Sequence, residues 1–270
     1  MAGSVDSITG LKSFGLDLIK TAGKEALSFY GKGKHDAKFD QALVTRAELH
    51  LNSFFTQKIS LAYPDHLIYR NNHVSEAYTH DNTRYLWIFD PIDGVDNFQT
   101  GIPIWGMSLA LIENFWPVFG AFYMPSTEDM FHAVADGDAF WGNRKINMLS
   151  NSSVDDESLL LTFSRFHQQY RCRFPGKIRD LGCTGAHICY MAMGRADAAI
   201  TAHESYQGLA ATRVILEAAG GKFYKSDGTE FYLNEYLSGE RINNHLLAVA
   251  PENMTFVLSC LERNRQVRSV

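Results

Sequence analysis

The 270-residue sequence has few cysteines, no CxxC spacing and no excess of basic charge. Four cysteines without such spacing exclude a disulfide framework and predict reduced thiols in a cytoplasmic protein. The 25 Lys and Arg residues against 30 Asp and Glu give a formal net charge of −5. That balance argues against nucleic acid as the main partner, because phosphate backbones attract basic surfaces.

Long hydrophobic runs are also absent. No apolar run approaches the roughly 18 residues that would indicate a membrane span, and the opening MAGSVDS lacks the basic and apolar regions of a signal peptide. We therefore expect no membrane partner. What the sequence does contain, 46% hydrophobic and 20% charged residues, is typical of a packed globular protein.

Hydrophobic spacing in the first half predicts two helices followed by an antiparallel meander. Apolar residues recur every three or four positions over 7–30 and 45–62, the period of amphipathic helices. The continuous apolar run Tyr85–Phe89 predicts a buried strand that ends at Asp90. Three further strands, separated by turn signals, are predicted at 107–112, 117–123 and 130–135.

The polar segment 147–158 predicts a boundary between an N-terminal α+β lobe, residues 1–150, and a C-terminal α/β lobe, residues 151–270. Strands and helices alternate in the second lobe. The strands are predicted at 159–163, 198–201 and 246–250, and the helices at 183–193, 209–219 and 251–263. The predicted fold class is α/β, layered helix–sheet–helix–sheet–helix.

The segment WIFDPIDGVDNF, residues 87–98, carries the most informative chemistry. Asp90 and Asp93 share one tight turn, and such a pair suits a hard cation with oxygen ligands. Gly94 lets the backbone turn, and amides at a helix start after it suit an anion such as phosphate. Taken alone, the motif is equally compatible with two Asp side chains that only cap the turn.

This segment, followed by GIPIWGMSLALI, RDLGCTGAHICYMAMGRADAAI and ILEAAGGKF in the same order, resembles the inositol monophosphatase family over nearly the whole chain. The resemblance implies that family's five-layered αβαβα sandwich, a site where the two halves meet, and a homodimer. It also implies a magnesium site built from DPxDG, a Gly-Glu-Glu motif and a Trp-Asp motif. A Thr after DPxDG and an Asp on the second helix would activate the attacking water.

Some of the family's functional positions are retained here and others are replaced. Asp90, the main-chain carbonyl of Ile92, and Asp93 match metal ligands of the family. Glu48 aligns with the family's helical Asp, so the carboxyl group is retained on a side chain that is one methylene longer. Val95 replaces the Thr and has no hydroxyl to offer a water molecule.

Two more carboxylates of the family are missing. The Gly-Glu-Glu position falls on Arg70-Asn71-Asn72, and the Trp-Asp position falls on Gln207-Gly208. Because Arg stays protonated and Mg²⁺ needs strong oxygen ligands, we predict that ordinary two-metal chemistry is lost or altered. No cofactor is then required, and one weakly held Mg²⁺ is the most that we expect. Arg70 is predicted to bind an anionic ligand together with Gly94, Val95 and Asp96.

His203 and Glu204 lie in the loop that, in the family, contacts the part of the substrate beyond its phosphate. They form a candidate acid–base pair beside Glu48 and Asp93, although a loop histidine is more often a solvated surface residue.

Three functions therefore stay open. The preferred one is a repurposed enzyme that acts on a small anionic or polyol-like metabolite by acid–base chemistry, with reduced or no metal dependence. The others are a magnesium-dependent phosphatase of a sugar, polyol or nucleotide phosphate, and a pseudoenzyme that binds a ligand or protein without turnover.

Overall fold

A computed structural model describes residues 7–34, 36–69, 85–148, 153–233 and 242–264. The helices are α1 Ile8–Leu27, α2 Gln41–Ala62, α3 Val95–Thr100, α4 Phe166–Gln169, α5 Thr184–Ala192, α6 Tyr206–Ala218 and α7 Met254–Ser259. The strands of the first half are β1 Leu67–Ile68, β2 Tyr85–Asp93, β3 Gly106–Glu113, β4 Trp116–Met124, β5 Asp129–Val134, β6 Ala139–Trp141 and β7 Arg144–Ile146. Those of the second half are β8 Leu159–Leu161, β9 Tyr170–Cys172, β10 Lys177–Arg179, β11 Ala198–Thr201, β12 Lys222–Lys225, β13 Leu246–Val249 and β14 Leu261–Arg263.

The two N-terminal helices are confirmed, and each begins at a side-chain cap. Ser7 accepts a hydrogen bond from the Gly10 N–H at the start of α1. Asp40 does the same for Leu43 at the start of α2, and this cap explains why α2 begins earlier than its apolar period predicts. Both helices pack their apolar faces on one side of the first sheet.

Among the described residues, the first sheet has seven strands in chain order from β1 to β7, so the predicted meander is confirmed at β3, β4 and β5. The prediction that the strand before it ends at Asp90 is wrong. β2 continues to Asp93, because Asp90 still pairs with Ser108 and Asp93 with Gly106 across a register shift between them. An irregularity of this kind re-aims side chains at the end of a strand, here the two carboxylates.

The second sheet has the order β10-β8-β11-β13-β12, and β9 and β14 form a separate two-stranded sheet. The predicted terminal helix 251–263 is wrong in its last part. α7 ends at Ser259, and Leu261–Arg263 pairs with β9 instead, with Leu261 opposite Cys172. Pairing with a distant strand gives the end of the chain hydrogen-bond partners that a local helical pattern cannot reveal.

In the described part of the chain, the three larger apolar cores lie between five layers. One lies between α1, α2 and the first sheet, the next encloses α5 and α6 between the two sheets, and the third joins the second sheet to α7. The five-layered αβαβα fold class is therefore confirmed. The middle core contains residues of both halves, such as Ile88 and Ala199, and a division near residue 150 stays a prediction.

Helices in the described part of the chain lack the combination of length and apolar character that crossing a membrane requires.

Candidate functional site

The turn after β2 is held in place by a close backbone approach. Gly94 has a φ of 85°, and a Cβ on it would lie 3.0 Å from the Gly182 carbonyl oxygen and 3.1 Å from the Cys183 Cβ. Only glycine fits both the positive φ and this spacing. Gly94 is thus required by the contact between the turn and the segment before α5.

Asp93 connects the turn to the first turn of α5. Its Oδ1 accepts the Thr184 N–H at 3.2 Å, and its Oδ2 accepts the Gly185 N–H. Burial raises the pKa of Asp93, and these backbone N–H groups oppose that rise. Each carboxylate oxygen of Asp93 therefore accepts one hydrogen bond from the positive end of a helix.

Asn97 fixes the same turn from α3. Its side-chain Nδ2 donates to the Ile104 carbonyl at 2.6 Å and to the Leu181 carbonyl at 2.8 Å, and the residue is buried. One amide thereby joins the DPIDG turn to the segment that precedes α5.

Our first prediction concerns the removal of the Asn97 side-chain amide. Asn97→Ala should lower the free energy of unfolding by about 2–3 kcal/mol, because two partly buried carbonyls lose their donor. Urea denaturation followed by circular dichroism measures the change. Asn243→Ala, at an exposed position, serves as the control and should change stability by less than about 0.5 kcal/mol. Equal effects of the two variants would contradict this role of Asn97.

Glu204 reaches the site from the loop before α6. Its Oε1 accepts a hydrogen bond from the Thr184 hydroxyl at 3.0 Å. Thr184 therefore contacts Asp93 through its backbone N–H and Glu204 through its side chain. The structure brings together these two predicted site residues.

The start of α6 faces Asp90. Ser205 caps the helix by accepting the Gly208 N–H, so α6 begins at Tyr206, earlier than the predicted residue 209. The Gln207 side chain donates to the Phe89 carbonyl next to Asp90. A Cβ at Gly208 would lie 3.6 Å from Asp90 Oδ2 and 3.7 Å from Glu204 Oε2.

The carboxyl groups of this site repel one another. Burial, followed by the charges of Asp93 and Glu48, raises the pKa of Asp90 to about 7. Burial, followed by the charges of Asp93 and Asp90, raises the pKa of Glu204 to about 8, against the opposing hydrogen bond from Thr184. Burial also raises the pKa of Glu48 on α2. We call Asp90, Asp93, Glu204 and Glu48 the carboxylate cluster.

The donor chemistry of the carboxylate cluster fits a hard divalent cation, because every side chain in it offers carboxylate oxygens. Within the described ranges, however, no three Asp, Glu, His or Cys side chains form a closed metal-binding group. Mg²⁺ is commonly held by only one or two carboxylates and completes its shell with water and substrate oxygens. The space over Gly208, bordered by Asp90 and Glu204, suits such an open site.

Other predicted site residues lie elsewhere. His203 does not join the carboxylate cluster but lines a groove of about 1200 Å³ with Tyr170 and His245, its ring 6.0 Å from that of His245. Asp96 is exposed, and its Oδ1 accepts from the Gln99 side chain at 3.3 Å. Val95 packs against the core formed by α1 and α2.

Two predicted residues remain, one on the turn and one beyond the described part of the chain. Ile92 is buried, and its backbone N–H donates to Asp90. Arg70 lies outside the described residues, so its anion-binding role stays a prediction.

Sequence reasoning missed Thr184, which links two acids of the site. The available signal was its position directly after Gly182-Cys183 at the start of a predicted helix, where backbone N–H groups and short polar side chains meet acceptors.

Fold and site together define a layered αβαβα protein whose carboxylate cluster lies where β2 meets the starts of α5 and α6. The chain belongs to the inositol monophosphatase family, whose sequence profile matches residues 10–256.

Curated relatives carry several functional names. A fructose-1,6-bisphosphatase/inositol-1-monophosphatase of Thermotoga maritima is 25% identical over 249 residues, covering 88% of this chain and 95% of that protein. A histidinol-phosphatase of Chlorobaculum parvum is 28% identical, covering 76% and 82%. The protein named Nus factor SuhB of Xylella fastidiosa is 30% identical over 175 residues, covering 61% of this chain and 62% of that protein.

Solved structures share the fold. The Thermotoga maritima IMPase superposes with a TM-score of 0.74 at 22% identity, covering 92% of this chain and 95% of that one. The inositol monophosphatase of Zymomonas mobilis gives a TM-score of 0.75 at 20% identity, covering 94% and 98%.

Proposed function

We propose that this protein hydrolyses a phosphate monoester of a small polyol, sugar or nucleotide, assisted by one divalent cation at the carboxylate cluster. The observation that carries the proposal is the convergence of Asp90, Asp93 and Glu204 at the starts of α5 and α6. Family membership supports the reaction class. The matched relatives named as phosphatases act on fructose bisphosphate, inositol phosphate or histidinol phosphate, according to their names.

Electrostatics favours a cation over an empty cluster. Two like unit charges 4 Å apart repel each other by about 4 kcal/mol at an effective dielectric constant of 20. A phosphate dianion beside Asp90 and Glu204 would meet this repulsion from each ionised carboxylate. A divalent cation reverses the sign of the interaction, and an anionic substrate then binds favourably.

Each residue of the cluster has its own task in this proposal. Asp90 and its neighbours hold the cation, which when bound supplies positive charge to the phosphate oxygens. Glu48 accepts the proton of the attacking water. Its charge helps to raise the pKa of Asp90, so the two carboxyl groups interact, and burial raises the pKa of Glu48 itself. Val95 offers no hydroxyl to share this task, so we expect a slower reaction than a Thr at that position would support.

A phosphate-release assay tests the proposal. The purified protein is incubated with inositol, sugar and nucleotide monophosphates, in Mg²⁺ or in EDTA, alongside Asp90→Asn and the exposed-site control Asp156→Asn. We expect release in Mg²⁺ only, reduced at least about a hundredfold by Asp90→Asn and unchanged by Asp156→Asn. Absence of release from every phosphate, in a protein that still binds them, would favour the pseudoenzyme.

One observation favours a second candidate, the metal-independent acid–base enzyme. With pKa values raised to about 7 and about 8, Asp90 and Glu204 retain protons near neutral pH when no cation is present. Turnover that persists undiminished in EDTA would support this candidate and overturn the cation-assisted one. The predicted homodimer and the cytoplasmic location remain predictions.

A further inference from the structure

Glu204 enters the carboxylate cluster from a position that no retained motif explains. We infer that Glu204 is a direct cation ligand that, with Asp90, binds the ion in the space over Gly208. The inference rests on the proposed function only in assuming that the carboxylate cluster takes a divalent cation.

Gly208 creates the space in question. A Cβ there would be 3.4 Å from Ser205 Oγ, 3.6 Å from Asp90 Oδ2 and 3.7 Å from Glu204 Oε2, which are ordinary contact distances for a side chain. The glycine leaves this volume free, and two carboxylate oxygens from different segments border it. Two carboxylates suffice for Mg²⁺, whose remaining ligands are commonly water and phosphate oxygens.

Asp93 is less available than Glu204 for this task. Both oxygens of Asp93 accept backbone N–H groups of α5. Glu204 uses Oε1 to accept from the Thr184 hydroxyl, whereas its Oε2 faces the space over Gly208, 3.7 Å from where a Cβ would lie. The division of contacts therefore leaves Glu204 Oε2 open to the ion, whereas each Asp93 oxygen already uses one of its lone pairs in positioning α5.

Thr184 is the positioning residue of this arrangement. Its hydroxyl orients Glu204 while its N–H holds Asp93, so the two acids keep a fixed relation to each other. A ligand held by such an outer partner loses roughly 10- to 100-fold in metal affinity when the partner is removed.

Calorimetric titration of the full chain with Mn²⁺ tests the inference without turnover. We expect Glu204→Gln to raise the Kd for Mn²⁺ at least about tenfold, because the amide removes an anionic ligand. Thr184→Val should raise the Kd as well, and Thr184→Ser should restore it. Glu252→Gln, at an exposed position, is the matched control and should leave the Kd unchanged.

A rescue variant separates ligand loss from general damage. In the Glu204→Gln background, Gly208→Asp places a new carboxylate beside Asp90 and should recover most of the lost affinity. Thermal unfolding in EDTA checks that each variant is folded. If Glu204→Gln itself does not fold, Glu204→Asp, which keeps the charge and withdraws it by one methylene, should raise the Kd by an intermediate factor.

The outcomes distinguish this inference from the proposed function. An unchanged Kd in folded Glu204→Gln overturns the inference, even where Mg²⁺-dependent phosphate release is present. A tenfold weaker Kd together with Gly208→Asp rescue supports it, even where no phosphate ester is hydrolysed. Mn²⁺ binding that is absent from the parent protein overturns the inference and the cation-assisted function together.

Discussion

Asp90→Asn is expected to raise the free energy of unfolding of the cation-free protein at pH 8 by roughly 2 kcal/mol or more. Burial and the neighbouring charges of Asp93 and Glu48 raise the pKa of Asp90 to about 7 in the folded chain. Ionised Asp90 therefore destabilises the fold, and the neutral amide of Asn removes that penalty. The same substitution should abolish cation-assisted turnover, so stability and function oppose each other at this residue.

The sign of the pH dependence follows from the direction of the shift. Below the ordinary aspartate pKa of 3.8, Asp90 is protonated in both the folded and the unfolded chain and contributes no difference. As the pH rises toward about 7, the unfolded chain releases this proton before the folded chain does, and stability falls. Glu204 extends the fall to about pH 8, because its pKa is raised in the same direction.

Guanidinium denaturation in EDTA at pH 5 and pH 8 measures this effect. The contribution of the carboxylate cluster makes the parent less stable at pH 8 than at pH 5, and Asp90→Asn should flatten that difference. Asp156→Asn, at an exposed position, should follow the parent. Adding Mg²⁺ at pH 8 should stabilise the parent more than Asp90→Asn, because a ligand stabilises the state that binds it. Parallel pH profiles for parent and variant would contradict the expected repulsion.

Gly120→Ala is expected to lower the free energy of unfolding by about 3 kcal/mol or more. A Cβ at Gly120 in β4 would lie 2.3 Å from the Ala211 carbonyl oxygen and 3.0 Å from the Ala211 Cα. These atoms belong to the backbone of buried α6, which cannot move as a flexible side-chain end would. The sheet and the helix must separate locally to admit one methyl group.

The same substitution should also change the geometry of the candidate site, because α6 carries Gly208. Displacing α6 from β4 moves its first turn relative to Asp90, so we expect weaker Mn²⁺ binding in any Gly120→Ala protein that folds. Thermal unfolding and calorimetry measure the two effects. Gly10→Ala, at an exposed position of α1, is the control, because its Cβ would meet the end of the Ser7 side chain at 3.3 Å rather than buried backbone. If Gly120→Ala proved as stable as the parent, close packing of α6 on β4 would be refuted.

Much of the fold follows from local pattern. Apolar residues at helical spacing predict α1 and α2, and continuous apolar runs with turn signals predict the meander. The predictions fail where distant segments decide the outcome. β2 runs through Pro91 because β3 pairs with it, and residues 261–263 leave the predicted helix because β9 offers backbone partners.

The candidate site also combines features that the sequence predicts with features that only tertiary packing produces. Its acids can be predicted from the sequence. Asp90 and Asp93 belong to one motif, Glu48 aligns with the helical Asp of the family, and Glu204 lies in the loop that contacts the substrate in that family. The hydrogen bonds that connect these acids cannot be predicted from the sequence, since Thr184 and Asp93 lie 91 positions apart in the chain. His203 shows the limit, because its neighbour Glu204 enters the carboxylate cluster while His203 lines another groove.

By itself, the sequence determined the five layers, the family and the turn that carries two carboxylates, because hydrophobic period and a contiguous motif are local properties. The tertiary structure alone decided that Asp93 accepts hydrogen bonds from the amides of α5 and that Glu204 lies beside Gly208, which has no side chain. Those relations depend on how α5 and α6 pack between two sheets, and packing brings together residues that no local pattern connects.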